Sequence, residues 1–305
     1  MSARAQFEPP SPAVRNHPKP VRLAPELLSA LNRMAYQIDG SHFHPLWAGR
    51  KASGHPPPQP TLGNRMKPST GPATRLFAGA PLDVVKLVAA GLMAADHVNT
   101  IFLGHRPGAL WHIGRLVFPL FCFALVCNLQ RGASVSKYLE KLLVFAVLSQ
   151  PIYAAALRDT DANVLFTLAA GIAVAGFLRQ QSLAVQHAAL GAGVAAIFSP
   201  YVQARTGVDF GLAGMLFPAA LLLVMDGAKS HAVWLVAVLI GLNWFPPDPW
   251  RYAPITTAMV AGVGSLLILA LALGFRNYPR FLPRYALHLF YPGHLLLLAG
   301  IRAMG

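Results

Sequence analysis

Asp96 and His97 stand side by side in the stretch LDVVKLVAAGLMAADHVNT, residues 82–100, whose middle is apolar enough to sit in a bilayer. Ionisable side chains inside a membrane span are costly and mark relays, binding sites or catalysis. An imidazole next to a carboxylate is equipment for general acid–base work near neutral pH. Neighbours on a helix diverge by ~100°, so Asp96 need not bond His97; the plain alternative is a buried pair that hydrogen-bonds other helices. Asp83 and Lys86, in the same stretch, are spaced i, i+3 and able to pair. The plainer expectation for them is an interfacial ion pair whose side chains snorkel to the membrane edge. Lys86 and His97 are eleven residues apart, ~20° from three full turns and ~16 Å along the axis, so one helical stripe joins them.

Other polar groups recur in later apolar runs. Gly114 and Arg115 open the second run, and Ser149, Gln150 and Pro151 lie late in the third. Asn163 and Thr167, one turn apart, open the fourth. The last run, RYALHLFYPGHLLLL, carries Tyr285, His288 and Tyr291 on one stripe, then Pro292 and His294. Taken singly each is ordinary: a lone Ser or Thr in a span bonds its own i−4 carbonyl, and Arg115 reads equally well as an interfacial anchor. Under an alternating topology they fall at the depth of Asp96 and His97, which predicts one shared polar cavity. The proline there frees a backbone carbonyl and kinks its helix, as helices lining a cavity tolerate. CxxC, HExxH, GxSxG and Gly-rich phosphate motifs are absent, and the scattered histidines show no zinc pattern, so no metal is expected.

Positioning such residues is the task of an all-α, polytopic bundle. The 305 residues are 55% hydrophobic and only 12% charged, about half the charge density of soluble domains. Span-length apolar runs fall near 82–103, 113–129, 139–157, 163–178, 183–200, 208–225, 231–245, 253–275 and 284–302, so about 8–9 transmembrane helices are expected. Their short connections leave no room for a soluble catalytic domain. Cys122 and Cys127, five apart in one run, read as small core residues. Residues 1–81 hold fourteen of the 26 prolines and predict a basic, largely disordered tail. One amphipathic piece, residues 24–38, is a candidate surface helix, and Met66 is an alternative start. No apolar leader segment precedes the tail, so no cleavable signal peptide is expected. The net charge of +14 is spread along the chain without a basic face, which argues against nucleic acid.

With the amino terminus in the cytoplasm, inner segments collect eighteen Lys/Arg against six outside: Arg106, Arg115, Arg158, Arg205, Arg251 and Arg302. The asymmetry favours that orientation.

The ordered set LDVVKLVAAGLMAADHVNT, WHIGRLVFPLFCFAL, YLEKLLVFAVLSQPIYA, NVLFTLAAGI, VDFGLAGMLFP and RYALHLFYPGHLLLL resembles the TraX family over residues 80–300. These are inner-membrane proteins of bacterial conjugative plasmids, typified by the enzyme that N-acetylates F pilin, and the TrbP-type members are most similar. Phe210 stands where the family would have Tyr. The resemblance implies transfer of an acetyl group from acetyl-CoA to the amino terminus of a pilin subunit. On it, Asp96, His97, Arg115, Tyr291 and His294 become the catalytic candidates. His97 would be the base, with Asp96 fixing its tautomer or holding the ammonium; Arg115 and Tyr291 would stabilise the oxyanion, and His294 would be the second acid/base. Lys86, Ser149, Gln150, Asn163, Thr167 and His288 would support the polar cavity, while Arg131, Lys137 and Lys141 would meet the coenzyme's phosphates. The expected partners are a pilin, the bilayer and other conjugative transfer proteins.

Two alternatives use the same residues. One is a non-catalytic pilus-assembly factor that holds the pilin's amino terminus. The other is a proton-coupled transporter, weakened because no pair of broken spans recurs as an inverted repeat.

Overall fold

A computed structural model describes residues 75–104, 108–199, 207–244, 253–283 and 285–304. Expectations placed on residues 1–74, including the disordered tail and the piece at 24–38, lie outside the described residues, as do Arg106, Arg205, Arg251 and Arg284. The described residues form α1 (Ala80–Phe102), α2 (Ala109–Gly114), α3 (Val117–Gln130), α4 (Val135–Leu157), α5 (Val164–Leu178), α6 (Leu183–Ile197), α7 (Gly211–Met225), α8 (Ala232–Gly241), α9 (Pro254–Ala272) and α10 (Ala286–Met304). Among the described residues the sole β pairing is the isolated bridge Ala162–Val208. The protein is all-helical, and each expected apolar run is a helix or a pair of them.

Among the described residues four segments are long and apolar enough to cross a membrane: Ala80–Phe102, Ala109–Gln130, Val135–Leu157 and Pro254–Phe275. The segments of α5 to α8 are apolar but shorter. Outward faces of α4, α9 and α10 expose Leu148, Leu266, Leu271, Leu289 and Leu297. A surface this apolar is stable against lipid tails and unfavourable against water. The chain is a membrane protein.

Local chemistry sets the boundaries. Ser134, Asn163 and Ser182 cap α4, α5 and α6 by accepting from Lys137, Leu165 and Val185 backbone N–H groups, which satisfies donors left over in the first turn. The core centres on α7, packed on α3, α5, α6 and α8. A Cβ at Gly171 would come 2.7 Å from Pro218 Cγ, so α5 and α7 approach closely because that position carries no side chain.

With α2 and α3 counted as one span, short connections make successive spans antiparallel, so the bundle has two ends. At one, Asp226 takes Arg179 at 2.7 Å and Gln130 at 3.0 Å, joining α7, α5 and α3. Arg131 donates to the Phe77 carbonyl. Asp83 is fully buried and accepts from the Phe281 and Leu282 N–H groups, at 3.2 and 3.1 Å, and from Lys86 at 3.5 Å. The expectation of a snorkelling pair is therefore corrected: Asp83 turns inward because the loop before α10 presents two backbone donors to it. This basic end carries Arg75, Lys86, Arg131, Lys137, Lys141, Arg179, Lys229, Arg276 and Arg280 against Asp83, Glu140 and Asp226 among the described residues. The opposite, acidic end carries Arg115, Arg158 and Arg302 against Asp96, Asp159, Asp161 and Asp209.

Candidate functional site

The second span is broken where chemistry was expected. α2 ends at Gly114 and α3 begins at Val117, with Arg115 at the joint. Its guanidinium meets both Asp96 oxygens at 3.3 Å and lies 4.1 Å from the centre of the Trp111 ring and 5.8 Å from that of Phe210. Planar guanidinium suits this combination of carboxylate and aromatic faces. The ion pair is nearly enclosed, Arg115 being 8% and Asp96 16% exposed. Gly114 makes room for it: a Cβ there would lie 2.2 Å from Asp96 Oδ1.

His97 turns away from Asp96, as adjacent helical residues must. Its Nδ1 lies 2.7 Å from Nε2 of His294, the two rings within 6° of coplanar, and His294 Nδ1 lies 2.8 Å from the Phe290 carbonyl. A carbonyl only accepts, so with both rings neutral His294 carries its proton on Nδ1 and accepts on Nε2. His97 then donates from Nδ1 and keeps the lone pair of its Nε2. Asp96 is thus not the group that fixes the His97 tautomer; His294 and a backbone carbonyl are.

A cavity of about 340 Å³ runs through this part of the bundle. Asp96, His97, Arg115, Phe118, Tyr153, Tyr291, Asp159 and Asp209 line it towards the acidic end, and Lys86, Tyr138 and His288 line it deeper in. Lys86 is ten residues before Asp96 on α1, ~15 Å lower. His288 lies tilted against Phe145, 4.6 Å between centres, six residues before His294 on α10 and so ~9 Å below it. The expected common depth fails for His288, which belongs with Lys86.

The remaining expected cavity residues hold the scaffold. The Asn163 side chain donates to the Ala146 carbonyl at 2.9 Å and to Gln150 Oε1 at 2.8 Å, and lies 3.4 Å from Ser149 Oγ. Gln150 in turn donates to the Asp161 carbonyl at 2.8 Å. Ser149 also bonds its own i−4 carbonyl, Phe145, at 2.6 Å. These three knit α4 to α5 and do not line the cavity, because a capping Asn at a helix start is spent on backbone groups. Thr167 donates to the Asp209 carbonyl and also stays outside the lining. Arg131 and the half-buried Lys141 lie towards the basic end without lining the cavity, and Lys137 is exposed.

Asp209 and Asp159 were not anticipated. Asp209 sits in the loop before α7, where burial raises its pKa to about 7; Arg115 opposes the shift, while Asp96 and Asp159 add to it. Each lies beside a non-glycine residue in the left-handed region, Arg158 at φ 56° and Phe210 at φ 62°. Such backbone strain gathers at functional sites. The single legible signal was position: both are acids in connections at the same end as Asp96.

The family described as TraX protein matches residues 81–302. The chain is 29% identical over 246 residues to the probable fimbrial assembly protein FimC, serogroup H1, of Dichelobacter nodosus, covering 74% of this chain and 96% of that protein. It is also 29% identical over 234 residues to the TraX protein of Escherichia coli, covering 73% of this chain and 87% of that one. No solved structure matches it. Asp96, His97, Arg115, Asp209, Tyr291 and His294 all fall within the matched residues, and the chain belongs to the TraX family.

Proposed function

We propose that this protein is a membrane acetyltransferase of the bacterial inner membrane that transfers an acetyl group from acetyl-CoA to the amino terminus of a conjugative pilin subunit. The observation that carries the reading is one cavity with Lys86 and His288 at its inner part and a tautomer-fixed His97 with Arg115 further out. The excess of Lys/Arg at the basic end favours that end as cytoplasmic. Lys86 and His288, with Lys141, Arg131 and Arg280 around them, suit the phosphates of a cytoplasmic acyl donor. The donor supplies the activated thioester, and the apolar stretch between Lys86 and His97 suits an extended arm carrying it. The donor side and the acceptor side thereby meet inside the bundle.

At the outer part, His97 Nε2 takes a proton from the attacking amine. Arg115, already balanced by Asp96, and the Tyr291 hydroxyl face the developing oxyanion. Intact-mass measurement of the cognate pilin, with and without this gene, tests the reading. A mass gain of one acetyl group that vanishes in His97→Ala is expected; an unchanged pilin mass sinks it. The name of the Dichelobacter relative, a probable fimbrial assembly protein, favours a second reading, a pilus-assembly factor that holds the pilin without chemistry. Piliation lost with the gene while pilin mass never changes would favour it.

A further inference from the structure

The tautomer of His97 provides for one proton, yet acetylating an amino terminus releases two. An α-ammonium, pKa ~7.7–8.0, must lose the first before its nitrogen can attack. The second leaves the nitrogen once the new bond has formed. The residue that deals with the first proton has to sit where the amine arrives, at the mouth of the cavity opposite Lys86.

The loop 207–210 is built to present a carboxylate there. The Ala162 N–H donates to the Gly207 carbonyl and the Asp209 N–H to the Ala162 carbonyl, both at 2.9 Å. Thr167 takes the Asp209 carbonyl. Phe210, in its left-handed conformation, stacks on Phe118 with 4.5 Å between ring centres. All of these bonds fasten the backbone, and the Asp209 carboxylate, which accepts from the Phe210 N–H, lines the cavity. A second, independent feature points to a ligand. The Tyr291 hydroxyl lines the same cavity and its residue is 3% exposed; the Val164 backbone N–H lies beside its oxygen, and its own O–H meets no acceptor among the described residues. Buried hydroxyls ordinarily donate as well as accept, so the proton of this one is left for a bound group. Asp159 stands exposed at the rim, and the charged groups facing Asp209 are Arg115, Asp96 and Asp159. Two of those three repel anions and favour a cation.

We propose that Asp209, assisted by Asp159 at the rim, is the subsite for the acceptor's primary ammonium group and accepts its first proton. The proposal rests on the acetyltransferase reading for the step that follows. Asp209 takes one proton from R–NH3⁺ and the neutral nitrogen attacks the acetyl carbon. The N–C bond forms, the C–S bond breaks, and His97 takes the second proton and delivers it to the departing thiolate. Asp209 returns its proton to solvent past Asp159. Burial holds Asp209 at about 7, within about one unit of the α-ammonium, so the first transfer is nearly balanced.

The test uses full-length protein in nanodiscs and Asp209→Asn, which keeps every backbone bond of the loop. Binding is read by tryptophan fluorescence, Trp111 lying against Arg115, with an uncharged synthetic hexapeptide bearing a free amino terminus and with its N-acetylated twin. Asp209→Asn is expected to weaken the amine peptide at least tenfold and leave the acetylated twin unchanged. Equal loss for both peptides, or none for either, overturns the subsite. Acetyl transfer to the amine peptide is then followed against pH. A deficit of about a hundredfold at pH 6.5 should shrink to a few-fold above pH 9, where the amine is already neutral, whereas that of His97→Ala should persist. A deficit independent of pH overturns the proton role. If the wild type binds the amine through Asp209 but transfers no acetyl, the acetyltransferase reading fails and the subsite stands.

Discussion

His97 and His294 are joined by a 2.7 Å contact between rings within 6° of coplanar, on helices whose residues are 197 positions apart. The first of these residues is the proposed base and the second sets which of its nitrogens is bare. Removing the base should abolish transfer, a loss of about 10²–10⁴-fold. Removing His294 frees the ring to rotate and should lower kcat by up to about a hundredfold with little change in KM. Steady-state acetylation by His97→Ala and His294→Ala checks both, and a His294→Ala enzyme of wild-type kcat would end its positioning role.

Asp96 and Arg115 form an enclosed pair, so deleting one partner strands the other's charge. Asp96→Ala should destabilise the protein by about 3 kcal/mol. The double variant Asp96→Ala with Arg115→Met should recover part of that loss, because no buried charge is left over. Thermal unfolding in detergent, run as a double-mutant cycle, reads the difference.

Gly114 tests the same pair without touching a charge. Gly114→Ala places a methyl 2.2 Å from Asp96 Oδ1, where the carboxylate must move. Acetyl transfer should fall at least tenfold, consistent with the sensitivity of catalysis to small displacements. Gly91→Ala, on the same α1 and with nothing within 4 Å of the added carbon, should leave activity and folding unchanged.

Asp209 predicts a pH dependence of stability. Its folded pKa, about 7, is above its ordinary 3.8. Between those values the folded state binds more protons than the unfolded one, and stability falls as pH rises. The wild-type unfolding temperature should therefore decline from pH 5 to pH 7.5 relative to Asp209→Asn. Parallel profiles for the two proteins would contradict the buried carboxyl.

At the inner part, Lys86→Gln should raise KM for acetyl-CoA roughly tenfold, as loss of a charged hydrogen bond implies, with kcat nearly unchanged. The wild-type KM should rise with salt more steeply than that of the variant. Initial rates at two ionic strengths decide it.

Much of the bundle was legible because burial in lipid demands long apolar runs, and each of those runs is helical. Asp96, His97, Arg115 and Tyr291 were recognisable as costly polar groups in such runs, and the structure brings them to one cavity. Their partners were not legible. Spacing along α1 says that Asp96 and His97 diverge, but which helices they meet depends on how α2 and α10 pack. Ser149, Gln150 and Asn163 looked like cavity residues because depth was the criterion. An Asn just before VLF, at a helix start, was already a capping signal. Asp209 escaped notice because loops hold acids freely, and only strain and burial set it apart.

Asp83 lies fourteen residues before His97 on α1, and the Leu282 amide it holds lies twelve before His294. On α1 that is ~21 Å of rise, and on the other side the loop and the opening turns of α10 lead from the same carboxylate to His294. The buried carboxylate acts as the zero mark of a two-armed ruler, and the imidazole contact is where the arms are read. A disturbance on the donor side, at Asp83, would slide one arm against the other and pull the two rings out of register without touching either.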